Sequence, residues 1–295
     1  MGFATAVLIR PRAALVLGRV SNLPTVVSNA LAGLALAGTT LAPAPLLDAI
    51  LALTLFYVGG MYLNDAFDAA VDARGRPGRP IPRGDAARGA VFVAGFALVA
   101  LGVALAAHSG PVGAASGTAL AVAILLYDVL HKKTALAPVI MGVCRFLAYA
   151  MAAGMAGAPP GTALLLGAAG LFCHVVGLTC AARQEAYDRL ERAWPLAMLA
   201  VPLLGTLAAS LQAGGGTVAG LALWIVLLAA TAVALFRLFR RAPGDVPRAV
   251  ALLIAAIALY DAILVAVGGG PGWAVALATL CFPATLALQR LVPGT

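Results

Sequence analysis

The composition of this 295-residue chain excludes an ordinary soluble domain, because 63% of its residues are hydrophobic, only 10% are charged and the mean hydropathy is +1.02. The apolar runs are long enough for membrane helices and too continuous for barrel strands, so we predict an all-α, polytopic transmembrane helical bundle. The net charge of +8 is explained by basic loops at a membrane surface, and no nucleic-acid partner is expected.

Ten apolar stretches follow one another along the chain, each about the length that crosses a bilayer core of roughly 30 Å. Their approximate boundaries are residues 22–40, 46–66, 88–107, 112–130, 135–156, 162–182, 194–211, 217–236, 249–267 and 272–289. No long polar insertion interrupts them, so we expect a single domain over residues 1–295.

Positive charge is restricted to alternate connections between these stretches. The connections TLAPAP, HSGP, GAPPG, QAGGG and GGGPG contain no Lys or Arg, whereas every Lys and Arg except Arg145 lies in the other connections or towards the two ends. Cytoplasmic loops of membrane proteins are enriched in Lys and Arg. We therefore expect a multi-pass protein of the cell membrane with both termini and the basic loops in the cytoplasm.

The second stretch ends in an unusually charged segment, NDAFDAAVDARGRPGRPIPRG, at residues 64–84. Asn64, Asp68 and Asp72 recur every four residues, so a helix places them on one face, which Asp65 shares through its spacing of seven from Asp72. Oxygen ligands on one face suit Mg²⁺, which takes few protein carboxylates and bridges them to phosphate oxygens. A solvated helix end is the alternative interpretation.

The loop that follows these carboxylates favours the magnesium interpretation. In GRPGRPIPRG, three prolines stiffen the chain while Arg76, Arg79 and Arg83 supply positive charge. Arginine can grip phosphate oxygens through two parallel N–H bonds. Together the two features indicate a metal–diphosphate site at the end of a membrane helix.

The segment at residues 64–84 resembles the first aspartate-rich motif of the UbiA superfamily of intramembrane prenyltransferases, NDxxDxxxD followed by RPxRPIPxG. A second run, YDVLHKKTALAP at residues 127–138, is similar to the loop with Tyr and Lys between that family's fourth and fifth helices. The run MGVCR, which ends at Arg145, is similar to a divergent, EboC-like branch. Family members usually have nine helices, so nine or ten are expected here.

The resemblance implies a Mg²⁺-dependent reaction in which an isoprenyl diphosphate ionises and a small-molecule acceptor, often aromatic, captures the allylic cation within the membrane lipid. Such ionisation needs neutralised leaving-group charge and a cavity without water. The resemblance also implies that Asn64, Asp68 and Asp72 form the catalytic motif, with Asp68 and Asp72 as metal ligands. The side chains implied to bind substrate are Arg79, Tyr127, Lys132 and Lys133.

The family's second aspartate-rich motif, usually DxxxD after the sixth helix, is absent in that form. The run LTCAARQEAYDRLERAW stands there and offers Glu185 and Asp188, whose spacing of three lets them share a helical face. They are either a degenerate second metal motif or partners in ordinary salt bridges with neighbouring arginines. Both interpretations stay open.

Two charges fall inside predicted spans. Arg145 is a candidate functional residue because intramembrane ionisable residues are costly, and we predict that it faces the cavity and meets diphosphate or Asp68. The alternative is a structural pair with a buried carboxylate, and Asp261 is either that partner or a residue of the cavity wall. His174 has no second His at ligand spacing and is predicted to be a hydrogen-bonded core residue, and the four cysteines are predicted to be buried small apolar residues.

These observations leave two main hypotheses. The first is a UbiA-like prenyltransferase. The second, suggested by the altered second motif, is a non-catalytic relative that binds or moves a prenylated or lipid-linked molecule. A secondary transporter is disfavoured, because the charges cluster at one membrane face and not at the midplane.

Overall fold

The computed structural model describes residues 8–184, 193–212, 218–292 and 294. Within them the chain is helical and forms no β-strand. The eleven α-helices of these residues are α1 Pro11–Leu17, α2 Leu23–Leu36, α3 Pro43–Gly75, α4 Arg88–His108, α5 Pro111–Leu130, α6 Ala137–Met155, α7 Thr162–Gln184, α8 Ala200–Gln212, α9 Val218–Arg240, α10 Asp245–Val267 and α11 Gly272–Leu288. A 3₁₀ turn precedes α2 at Val20–Asn22 and α8 at Trp194–Leu199.

The predicted fold class is confirmed. Eight segments of the described chain are long and apolar enough to cross a membrane, namely α3 to α7, α8 with its preceding turn, α9 and α10. The apolar helices α2 and α11 are shorter, and together these ten segments correspond to the ten predicted stretches. The additional helix is α1, whose seven residues are too few to span a bilayer.

Helices α2 and α10 occupy the centre of the bundle. α10 packs against α2, α7, α8, α9 and α11, and α2 also contacts α3, α6 and α7. In the apolar stretch of α10, 72% of the residues are buried, against 28% in α4 and in α9. The peripheral helices therefore present apolar side chains outwards, as expected where a helix faces lipid.

Small residues bring α3 and α4 close together. A Cβ at Gly95 of α4 would lie 2.8 Å from Leu63 Cγ and 3.2 Å from the carbonyl oxygen of Gly59 on α3. Glycine removes this obstruction and lets the two backbones approach, which is common in membrane helix pairs. The contact fixes the half of α3 that carries the aspartate-rich motif.

The aspartate-rich motif continues α3 and does not end it. The predicted stretch 46–66 becomes a 33-residue helix, Pro43–Gly75. Proline disfavours helical backbone in the residue before it, and the helix ends just before Arg76, which precedes Pro77. The motif therefore has the fixed geometry of a helix.

The loop after α3 is attached to the N-terminal segment. Ile9 and Ala86 form an antiparallel bridge, and Arg10 makes an ion pair with Asp85 at 2.7 Å. These contacts anchor the far end of the loop, whose near end continues from α3, so its arginines stay beside that helix.

Candidate functional site

The first aspartate-rich motif forms a buried face on α3. Asn64, Asp65, Asp68 and Asp72 are only 6%, 4%, 9% and 4% exposed. Burial of these polar groups excludes a solvated helix end, because buried carboxylates need cations or hydrogen-bond donors nearby.

The loop between α5 and α6 places two basic side chains beside the Asp68 carboxylate. Its Oδ2 lies 3.1 Å from His131 Nε2 and 3.1 Å from Lys132 Nζ. The His131 ring stacks on Tyr127, with 5.0 Å between the ring centroids. The Lys132 side chain is 42% exposed, so its ammonium lies where a ligand entering the site can reach it.

Asp65 is held between two arginines from outside the helix. Arg79 NH1 lies 3.2 Å and Arg19 NH2 lies 3.3 Å from Asp65 Oδ1. Arg19 NH2 also donates to Asn64 Oδ1 at 3.4 Å. The backbone φ of Arg19 is 43°, a left-handed conformation that is uncommon outside glycine and is often found at functional sites.

Two carboxylates of the site keep open acceptor positions. The Asp72 carboxylate has no hydrogen bond or ion pair with any described residue, although it lies within electrostatic range of Arg79, Asp68 and Lys132. Asp128, in the last turn of α5, accepts from Asn64 Nδ2 on Oδ1 at 3.2 Å. Its buried Oδ2 has no partner among the described residues.

This face fits a magnesium ion that is shared with a phosphate group. Over the described ranges, no three His, Cys, Asp or Glu side chains are arranged to hold a metal by themselves. Mg²⁺ in phosphate sites needs only one or two carboxylates, because water and phosphate oxygens complete its shell. Asp68 and Asp72, one helical turn apart, are the pair that would hold such an ion. Glu185 and Asp188, predicted as further ligands, lie outside the described residues.

A largely apolar cavity of about 220 Å³ lies beside the motif. Its walls come from α2, α3, α5, α6, α7 and α10, with apolar side chains that include Phe56, Leu120 and Ile257. Arg19 and Asp128 belong both to this wall and to the hydrogen bonds of Asn64, so the motif and the cavity are continuous.

A second polar cluster is centred on Asp261 of α10. This residue is fully buried and accepts hydrogen bonds from Ser28, from Tyr149 and, at 2.8 Å, from Asn29 Nδ2. The cluster joins α2, α6 and α10 at the centre of the bundle.

Arg145 connects this cluster to the cavity that it lines. Its NH1 donates to Asn29 Oδ1 at 2.7 Å, and Asn29 in turn donates to Asp261. The direct ion pairs considered from the sequence, with Asp68 or with Asp261, are not formed within the described structure. Asn29 takes the position between the two charges.

The remaining predicted residues have simpler surroundings. Tyr127 lines the cavity, and Lys133 is exposed on the loop that carries Lys132. The core position predicted for His174 is confirmed, because it is 1% exposed and its Nε2 lies 2.9 Å from the carbonyl oxygen of Leu253.

All four cysteines are free thiols. Cys144 and Cys281 are buried, as predicted, whereas Cys173 and Cys180 are only partly buried. A partly exposed thiol on a bundle surface can contact lipid as well as protein.

Three residues of the site were not predicted as site residues. Asp128 and His131 belong to the run YDVLHKK, and their spacing of three on one helical face is a signal for a shared role. Arg19 was counted only among the basic residues near the N-terminus. Nothing local in the sequence distinguishes it, because its contacts with Asn64 and Asp65 join residues more than forty positions apart.

The fold and this charged face define a class of membrane-embedded helical proteins that carry a buried charged site beside an apolar cavity. The chain belongs to the UbiA prenyltransferase family, whose profile it matches over residues 26–246. It is 36% identical over 125 residues to a digeranylgeranylglyceryl phosphate synthase of Ignicoccus hospitalis, a match that covers 42% of this chain and 41% of that protein. The chain spans less than half the length of the curated relatives that it matches.

Solved structures share the fold. An apo UbiA homologue from Aeropyrum pernix K1 has a TM-score of 0.64 and 18% identity, over 84% of this chain and 97% of that one. A UbiA homologue from Archaeoglobus fulgidus bound to GPP and Mg²⁺ has a TM-score of 0.56 and 12% identity, over 94% of this chain and 99% of that one. At these identities the similarity establishes the UbiA fold alone.

Proposed function

We propose that the protein transfers an isoprenyl group from an isoprenyl diphosphate to a small-molecule acceptor within the membrane. The observation that carries this proposal is the buried row of Asn64, Asp68 and Asp72 beside an apolar cavity, with Lys132 and Arg79 adjacent to it. Membership of the UbiA prenyltransferase family supports the proposal, and so does the similarity to digeranylgeranylglyceryl phosphate synthases.

The donor's diphosphate binds at the motif. Asp68 and Asp72 hold Mg²⁺, which when bound neutralises the charge that develops on the leaving diphosphate. Glu185 and Asp188 are proposed to complete the metal site as a second, degenerate motif. Lys132, whose Nζ lies 3.1 Å from Asp68 Oδ2, binds diphosphate oxygens directly.

The remaining basic groups support the leaving group from the loops. Arg79 contacts Asp65 through NH1, and its other N–H groups donate to diphosphate oxygens. Lys133 neighbours Lys132 and adds to the positive charge at the mouth. Diphosphate departs with the electron pair of its bond to the allylic carbon.

The cavity holds the isoprenyl chain and excludes water from the allylic cation. Apolar side chains from six helices line it, so a cation formed there meets the acceptor before it meets solvent. Tyr127, at the same end as the motif, contacts the reacting end of the donor. A membrane-embedded position also gives a polyprenyl tail a route from the lipid.

We further propose that the motif faces the cytoplasm. The charge-free connections alternate with the basic ones along the chain, and basic loops are typically cytoplasmic. Thiol labelling from outside intact cells tests this, in a protein whose four native cysteines are replaced by alanine and which carries one new cysteine at Gly78 or at Gly161, where an added side chain meets nothing within 4 Å. Labelling at position 161 alone is expected, and labelling at position 78 alone would reverse the orientation.

Release of inorganic diphosphate tests the proposed function. Purified protein in nanodiscs is incubated with geranylgeranyl diphosphate and Mg²⁺. Asp68→Asn should lower the rate by about 100-fold or more, because it weakens the carboxylate pair proposed to hold the Mg²⁺ that neutralises the leaving group. The matched control is Asp48→Asn, an exposed aspartate on the same helix, which should retain the full rate.

The same assay separates the second candidate function, a non-catalytic relative that binds or moves a prenylated lipid. The altered residues at the second motif, Glu185 and Asp188, favour this candidate. It predicts tight binding of the diphosphate without release in the wild type. Binding without release in the wild type would contradict the enzymatic proposal, and full release by Asp68→Asn would contradict the role given to the motif.

A further inference from the structure

Asp128 is a buried carboxylate with one unused oxygen at the wall of the cavity. It lies in the last turn of α5 and is 4% exposed. Its Oδ1 accepts a hydrogen bond from Asn64 Nδ2 at 3.2 Å, whereas Oδ2 is buried and has no partner among the described residues. No described Lys, Arg or His side chain lies within ion-pair distance of this carboxylate, so Oδ2 keeps an open acceptor position.

The cavity offers few other groups that could accept a proton. Within its described wall Asp128 is the one carboxylate, and no histidine lies there. Arg19 and Arg145 also line the cavity, but an arginine in a protein stays protonated and takes up no further proton. Asp261 lies outside this wall, and its oxygens already accept hydrogen bonds from three other side chains. Asp128 is therefore the carboxylate to which a proton released inside the cavity can pass.

Asn64 joins this carboxylate to the proposed diphosphate site. Asn64 begins the aspartate-rich motif, and Asp68 follows it one helical turn further along α3. The hydrogen bond from Asn64 thus links Asp128 to the helix face proposed to hold Mg²⁺ and diphosphate. The donor carbon that reacts is the one bonded to diphosphate, so it lies at this end of the cavity. An acceptor that attacks this carbon does so at the side of the cavity that Asp128 lines.

We propose that Asp128 is the catalytic base of the transfer and that the acceptor reacts through a hydroxyl group. A hydroxyl can donate a hydrogen bond to Oδ2 while its oxygen faces the allylic carbon, whereas a C–H group is a much weaker donor. A general base must lie within hydrogen-bond reach of the proton that it takes, and this arrangement allows that contact. The inference rests on the proposed function and adds the reacting group of the acceptor and the destination of its proton.

Bonds and charges balance in this step. The bond between the allylic carbon and the diphosphate oxygen breaks, and its electron pair leaves with diphosphate. A lone pair of the acceptor oxygen forms the new C–O bond, while the electron pair of the broken O–H bond stays on that oxygen. The proton goes to Asp128 Oδ2. The resulting neutral carboxylic acid returns the proton to water after the product has left.

The test separates ionisation of the donor from proton transfer. Purified full-length protein in nanodiscs receives Mg²⁺ and geranylgeranyl diphosphate with a heavy oxygen isotope in the bridging position, and glycerol or phenol serves as a hydroxyl probe. Movement of the isotope into the nonbridging positions of the same phosphate reports C–O cleavage and return, which needs no base. Formation of geranylgeranyl ethers, or of geranylgeraniol from water, reports completed transfer.

Asp128→Asn should retain the isotope movement and form about 100-fold less product from glycerol, because an amide does not take up the proton. The loss should be smaller with phenol, whose hydroxyl gives up its proton more readily, whereas a structural defect would lower both products alike. Asp128→Glu keeps a carboxylate and should recover part of the rate.

The matched control is Asp48→Asn, which changes an exposed aspartate of α3 and should equal the wild type in both readouts. Thermal unfolding establishes that each variant is folded. Should Asp128→Asn fail to fold, Asp128→Ala replaces it and must show the same pattern.

Four results would overturn the inference: full product formation by the folded variant; an equal loss with glycerol and phenol; loss of isotope movement together with product, which would assign Asp128 to ionisation; or isotope movement in the wild type without product from glycerol, phenol or water. Each of these leaves ionisation of the donor by the wild type, and with it the proposed function, standing. A wild type that neither moves the isotope nor releases diphosphate would contradict the proposed function itself, and the inference with it.

Discussion

Asp128 is a residue of the site whose burial costs the protein stability. It is 4% exposed, and one of its oxygens is buried without a partner among the described residues. A buried, unsatisfied polar atom costs about 1–3 kcal/mol. Such a cost is expected where a side chain is kept for function.

We therefore expect Asp128→Asn to stabilise the protein and to impair it. The amide oxygen can still accept from Asn64, while the cost of burying a carboxylate is removed, so the free energy of unfolding should rise by about 1 kcal/mol. Transfer should fall, because the variant removes the negative charge and the open acceptor oxygen that Asp128 holds beside the motif. Thermal unfolding and diphosphate release on the same preparation check both effects. A variant that is less stable and fully active would contradict this interpretation of Asp128.

The site also shows which residue contacts a sequence can predict. The shared face of Asn64, Asp68 and Asp72 follows from helical geometry, so it was predictable from spacing. The partners Arg19 and Asp128 come from other helices, and only tertiary structure brings them together. The same holds for Arg145, whose predicted charge partner is replaced by Asn29, an uncharged residue 116 positions away.

At the scale of helices, α3 extends well beyond the apolar stretch that hydropathy marks, as the helical spacing of the motif predicted. Hydropathy ends the stretch near residue 66, because the charges that follow lower the apolar score. The helix continues to Gly75 because Arg19, Arg79, His131 and Lys132 match two of these carboxylates. The hydropathy of one segment carries no information about basic side chains of other segments that neutralise its carboxylates.

The close approach of α3 and α4 gives a prediction at this scale. Gly95→Ala should lower the free energy of unfolding by about 1–3 kcal/mol, because the new methyl group meets Leu63 and the Gly59 carbonyl. It should also reduce activity, since it displaces the helix that carries the motif. Thermal unfolding in detergent measures the change.

Gly89→Ala is the matched control on the same helix, since a Cβ there meets nothing within 4 Å. It should leave the midpoint unchanged or raise it slightly, because alanine favours helix over glycine by about 1 kcal/mol. Equal behaviour of the two variants would show that the contact between α3 and α4 is not close.

For the whole molecule, the membrane class and the ten apolar segments followed from composition and hydropathy. The arrangement of those segments did not, because apolar periodicity in a membrane helix does not identify its neighbours. The central positions of α2 and α10 depend on small and polar residues at helix contacts, such as Asn29 and Asp261. These contacts determine where the cavity lies.

The most direct measurement is the affinity of the wild-type protein for a non-reactive thio-diphosphate analogue of geranylgeranyl diphosphate, with Mg²⁺ and with EDTA. If Asp68 and Asp72 hold a magnesium ion that the diphosphate shares, removal of the metal leaves two buried carboxylates facing an anion. Affinity should then fall by about 100-fold or more. Equal binding in EDTA would contradict a metal–diphosphate site at this motif.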